Sequence, residues 1–134
     1  MRRSLVFGVF VLVALLAACG QDQQTAGSVQ KAFDAKATNV QVTGEGTVLR
    51  MLLDDRSGTP HQRIILYVAS GQTVLIQHNL DVARRIDDLE VGDTVGFSGE
   101  YIWNDQGGLI HWTHHDPANR HQAGWLKHGG RTYE

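Results

Sequence analysis

The chain is poor in the residues that staple or sharply punctuate a fold, with one cysteine and two prolines in 134 residues. A single cysteine excludes an intrachain disulfide, so packing alone must hold whatever domain forms. Several catalytic signatures are missing as well. No Gly-x-Ser-x-Gly elbow presents a nucleophile, and the serines fall in predicted turns or near the N-terminus, apart from Ser98. There is no His-Glu-x-x-His pattern, no cysteine pair and no glycine loop of the kind that cradles phosphate. A basic excess is lacking too: 12 Lys and Arg stand against 14 Asp and Glu, for a formal charge of −2. That balance suits tracking a phosphate backbone poorly, so nucleic acid is not the expected partner.

What is present begins at the N-terminus. Arg2 and Arg3 precede an apolar run over residues 5–16, followed by Leu16-Ala17-Ala18-Cys19. Charge, apolar run and small residues in that order make an export signal. The run is too short to cross a hydrocarbon core of about 30 Å as a helix, which favours cleavage over a permanent span. The segment resembles bacterial lipoprotein signals. That resemblance implies that Cys19 becomes the acylated first residue, tying the mature chain to a membrane and consuming the only thiol. Gly20 rather than Asp follows the cysteine, which by the rule of that family implies an outer membrane lipoprotein facing the periplasm. With residues 1–18 removed, 116 residues remain, carrying 10 basic against 14 acidic side chains and a charge of about −4. That length supports one domain with a modest core.

Residues 19–39 are rich in Gln, Ala, Thr and Ser and read as a lipid-anchored tether. Within it Ser28 is placed to cap a short helix whose Val29, Ala32, Phe33 and Lys36 share one stripe, with Phe33 available for docking. From residue 40 to 134 the pattern changes to short β-branched and aromatic runs separated by Gly, Asp and Asn, which is strand-like. The expected first strand carries Val40, Val42, Val48 and Leu52 on one face, and Gly44 and Gly46 allow it to bend. A second strand is expected over 62–69 and a third over 73–78. The spacing of Val82, Ile86 and Leu89 then predicts a short helix after Asp81. A fourth strand places Val95, Phe97, Gly99, Tyr101 and Trp103 on one face, and a fifth is expected over 109–113. The expected fold is therefore mainly β: a small five-stranded OB-like barrel with a short helix between strands 3 and 4 and an irregular C-terminal tail.

Several motifs also stand together: Gly99-Glu100-Tyr101-x-Trp103-Asn104, Gly107-Gly108, His111-Trp112-Thr113-His114-x-Asp116-Pro117 and Gly124-Trp125-Leu126. Asp54-Asp55, His61-Gln62-Arg63 and His78-Asn79-x-Asp81 accompany them. This set resembles a bacterial family known as a domain of unknown function. The resemblance implies small exported or lipid-anchored OB-like proteins and carries no activity with it.

Function must then be read from the residues themselves. Five of the seven histidines and two of the three tryptophans lie between Gly107 and Tyr133. Neutral imidazole is a common metal ligand and a carboxylate often completes a site, so His78, His111, His114, Asp116 and His121 are candidates for a divalent transition metal or another ligand. Strand alternation would put His111 with His115 on one face and His114 with Asp116 on the other. The same imidazoles could instead bond loop carbonyls and pack on Trp112 and Trp125. Asp54, Asp55, Arg63, Arg84, His78 and Asp81 suggest a metal-assisted phosphodiesterase or nuclease, although acidic residues are common in turns. A third reading is a non-enzymatic binding module for an envelope ligand such as an oligosaccharide. Its contacts would come from His61, Arg63, Asn79, Asp81, Tyr101, Trp103 and Trp112, with Tyr67 as a further aromatic. A structural envelope lipoprotein is the remaining alternative.

Overall fold

A computed structural model of the chain describes residues 29–68 and 71–134. The expected signal peptide, Cys19, Ser28 and the rest of the expected tether up to residue 28 fall outside them. Among the described residues, no helix is long and apolar enough to cross a membrane.

The described residues form seven strands: β1 (Thr38–Asp55), β2 (His61–Val68), β3 (Gln72–Asn79), β4 (Thr94–Ile102), β5 (Leu109–His111), β6 (Trp125–His128) and β7 (Arg131–Tyr133). The first half of β1 pairs antiparallel with β4, from Thr38 opposite Ile102 to Thr47 opposite Thr94. Its second half pairs with β2, from Gly46 opposite Val68 to Asp55 opposite His61. One strand therefore serves two neighbours, and it turns the corner at Gly46. A Cβ there would sit 2.8 Å from the Tyr67 carbonyl oxygen, a gap no side chain tolerates. β2 continues antiparallel into β3, β3 runs parallel to β5, and β5 returns antiparallel to β4. The order β1-β2-β3-β5-β4 with the β1–β4 pairing closes a ring of five strands, the expected OB-like arrangement.

The core follows the alternation. Ile64, Leu66, Val74, Ile76, Val95, Phe97, Tyr101 and Ile110 point into the ring and are almost fully buried. Burying each such side chain contributes about 1.5–3 kcal/mol, which is how a domain without a disulfide can hold together. A helix over residues 29–34 covers one side of the ring. Val29 and Ala32 join the core, and Phe33 stacks on Trp103 with ring centres 6.2 Å apart.

Three expectations change. Leu52 does not share the face of Val48, because a bulge between Val48 and Arg50 reverses the alternation and leaves Leu52 opposite Arg63. The segment after Asp81 forms turns rather than a helix. Gln62 explains why: its Oε1 accepts from the Ile86 amide at 2.9 Å and its Nε2 donates to the Ile86 carbonyl at 3.0 Å. Both backbone groups that a helix would need at Ile86 are taken by β2, while Ile86 and Leu89 still reach the core and Val82 stays exposed. The C-terminal tail, finally, is irregular only as far as residue 124. β6 and β7 then form a hairpin across Gly129 and Gly130, and β6 adds to β4 through Phe97 opposite Leu126.

Candidate functional site

β5 ends at His111, and the next residue departs sharply from strand geometry: Trp112 has φ 52°. A bulky side chain in the left-handed region is strained by roughly 1–3 kcal/mol, a cost usually met where the placement of a side chain matters. The turn leaves Trp112 37% exposed. It also breaks the expected alternation, so His111 and His115 do not make a pair. His111 instead directs Nε2 to Glu100 Oε1 at 3.0 Å, across the β4–β5 ladder, while His115 is exposed.

Around Trp112 the rings assemble into a near-parallel set. The His111 ring lies 4.7 Å from the indole at 9°, and the His121 ring 4.4 Å away at 11°. His114 then meets His121 edge-on at 5.0 Å. Asp116 fixes the loop that brings His121 back: its carboxylate accepts from the amides of Ala118 at 3.0 Å, Arg120 at 2.7 Å and His121 at 3.3 Å. Burial would push this carboxyl up, yet the bonds from Arg120 and Ala118 together with the nearby Arg120 charge hold it below the usual carboxylate range. Gly124 closes the loop by donating to the His114 carbonyl at 2.9 Å.

The tautomers follow from the carbonyl contacts. Nδ1 of His114 faces the His115 carbonyl at 2.9 Å, and Nδ1 of His121 faces the Gln122 carbonyl at 2.8 Å. A carbonyl only accepts, so each Nδ1 carries a proton, and Nε2 is an acceptor wherever the ring is neutral. The His121 Nε2 lies 3.7 Å from Asp116 Oδ2, whereas that of His114 is buried with no hydrogen-bond partner among the described residues. Burial lowers the pKa of His114, against the opposing effect of the His115 carbonyl, so the ring stays neutral near pH 7.

His78 does not join this cluster. It is fully buried between Thr113, whose hydroxyl lies 2.8 Å from Nδ1, and the Arg84 carbonyl, 3.1 Å from Nε2. Both nitrogens are occupied, and burial lowers its pKa to about 4 despite the Arg84 carbonyl. Among the described residues, no group of three or more His, Cys, Asp or Glu is arranged to hold a metal ion.

The remaining candidates disperse. Tyr101 is fully buried and its hydroxyl donates to the Gly107 carbonyl at 3.0 Å, so it is core rather than ligand contact. Trp103 packs on the core beside Phe33, with the Lys36 ammonium 5.5 Å from its ring. Asn79 bonds the Asp81 amide through its side chain and sits opposite His61 across the β2–β3 ladder. Arg63 lies opposite Gln77 in that ladder, well separated in sequence and pairing from the Trp112 loop. The proposed acidic pair is divided between structural tasks. Asp54 pairs with Arg85, and Asp55 accepts from the Ser57 amide at 3.0 Å.

Glu100 was missed from sequence. Its signal was present, since β4 and β5 alternation across a short turn places it opposite His111. His128, another of the C-terminal histidines, has its Nε2 2.8 Å from Asp93, tying the C-terminal hairpin to the turn before β4.

A family model described as a protein of unknown function, DUF3465, matches residues 9–134. No curated protein matches the chain.

Proposed function

The chain belongs to DUF3465, a family of proteins of unknown function, and we propose that it is a non-enzymatic binding module, lipid-anchored through Cys19 to the periplasmic face of the outer membrane. Its ligand is an envelope oligosaccharide taken at the Trp112 platform. The observation that carries this reading is Trp112 itself, exposed on a left-handed backbone with His111 and His121 stacked against it.

The chemistry supports a sugar. Beside the rings stacked against it the indole stays 37% exposed and carries a polar N–H, and the part-exposed His111 and Glu100 supply polar partners for sugar hydroxyls. Asp116 and Gly124 hold the loop in one conformation before ligand arrives, which reduces the ordering cost of binding. Acylation at Cys19 would add a high local concentration at the envelope, so modest affinity suffices. Titrating the protein with soluble peptidoglycan fragments and other oligosaccharides while following tryptophan fluorescence tests the reading. A saturable change that Trp112→Ala abolishes supports it; an unchanged signal with every sugar contradicts it.

A further inference from the structure

A cavity lies away from Trp112, between the 80–93 segment and β7. It has a volume of about 580 Å³ and is lined by Leu80, Ala83, Arg84, Arg85, Arg131 and Tyr133, with Asp87 and Asp88 also on its walls. Three of the nine arginines of an acidic chain converge there. They are not equivalent. Arg85 is paired with Asp54 and lies 3.8 Å from Asp87, so its charge is largely answered within the protein. Asp88 lies 3.6 Å from the His128 Nδ1. For Arg84 and Arg131 there is no ion pair among the described residues, and both are exposed.

The frame behind the two free guanidiniums is firm. The Arg84 carbonyl is held by the buried His78, and the Arg84 guanidinium lies 5.8 Å from the centre of the Tyr133 ring, which is itself 5% exposed. Arg131 stands two residues before Tyr133 on β7, opposite His128. Leu80, Ala83 and Tyr133 give the same cleft an apolar side. Guanidinium forks match the oxygens of a phosphate, and two forks carried on separate segments suit a group whose oxygens face several directions. We infer that this cleft binds a small organic phosphate, with Arg84 and Arg131 on the phosphate oxygens and the apolar wall against its carbon skeleton. The phosphate could belong to a soluble metabolite or to a lipid headgroup, and the same two arginines would read either.

Calorimetric titration of the full chain separates the sources. The probes are glycerol 3-phosphate and a short-chain phosphatidylglycerol kept below its micelle concentration, with the matching phosphatidylcholine as the zwitterionic control. Binding of glycerol 3-phosphate identifies a soluble phosphate; binding of phosphatidylglycerol alone identifies a headgroup with its attached chains. In either case R84Q/R131Q weakens binding roughly tenfold or more, added salt weakens it further, and R50Q/R56Q leaves it unchanged. Should R84Q/R131Q melt early through loss of the Tyr133 contact, R131Q alone, which removes no ring contact, gives the same loss of affinity in smaller measure. Failure of both probes to bind overturns the inference. So does equal affinity in the wild type and R131Q, or equal binding of phosphatidylcholine.

Discussion

The Thr113 hydroxyl donates to His78 Nδ1 at 2.8 Å while His78 Nε2 donates to the Arg84 carbonyl at 3.1 Å, so one buried imidazole joins β3 to the segment after β5 and to the 80–93 turns. The bond from Thr113 requires the neutral ring, whereas the Arg84 carbonyl would accept from the charged ring as well. Burial outweighs that carbonyl and lowers the pKa from 6.5 to about 4. Between those values the unfolded chain binds a proton that the folded chain refuses. Stability is therefore full above pH 6.5 and falls as the pH drops toward 4, by up to about 3 kcal/mol from this residue. Urea denaturation across that range checks it, with His78→Gln flattening the slope whatever its absolute stability. Equal slopes in the two proteins would contradict the assignment.

Gly124 makes the second expected lesion. A Cβ there would lie 2.1 Å from the Trp112 carbonyl oxygen and 2.5 Å from that of Ser98. Both obstacles are backbone, so neither rotates away. Gly124→Ala should destabilise the domain by about 3 kcal/mol or more, read from the denaturation midpoint. A change below about 1 kcal/mol would mean that the tail is not seated as described.

Tyr101→Phe separates core from site. The lost hydroxyl donates to the Gly107 carbonyl, which also accepts from Gln72 Nε2 at 2.9 Å and so keeps a partner. The expected cost is about 1 kcal/mol of stability with no change in oligosaccharide affinity. A large loss of affinity at unchanged stability would return Tyr101 to the ligand contacts.

Trp112→Asn should divide function from fold in the opposite way. Asparagine accepts the left-handed backbone at φ 52° more readily than tryptophan, which offsets the lost ring contacts. Near-native melting with binding abolished is the expected outcome. Thermal denaturation and fluorescence-independent calorimetry on the same sample measure both.

The ring of strands was legible because its signal is local. Val95, Phe97, Gly99 and Tyr101 alternate along β4, and the partner strands do the same. The 80–93 segment was not legible, since the residue that decides it, Gln62, sits 24 positions away and takes both backbone groups of Ile86. Periodicity chose Ile86 and Leu89, which are buried, together with Val82, which is exposed, and it does not report where backbone hydrogen bonds go. The closing hairpin had a readable cue in Gly129-Gly130 between Trp125-Leu126 and Tyr133, outweighed by the polar residues before it. For the site, composition gathered His111, Trp112, His114, Asp116 and His121 into one stretch, and the fold keeps them together. What sequence could not supply was the left-handed turn at Trp112, which turns a supposed two-faced strand into a stack of rings.

The most direct measurement follows the three indole N–H signals of the isotopically labelled protein during titration with soluble peptidoglycan fragments. Trp112 should shift progressively and saturate, while Trp103, packed beside Phe33, and Trp125, with the Lys127 ammonium 4.3 Å from its ring, hold their positions. Shifts confined to Trp103 or Trp125, or no shift in any of the three, would contradict the assignment of the ligand site to Trp112.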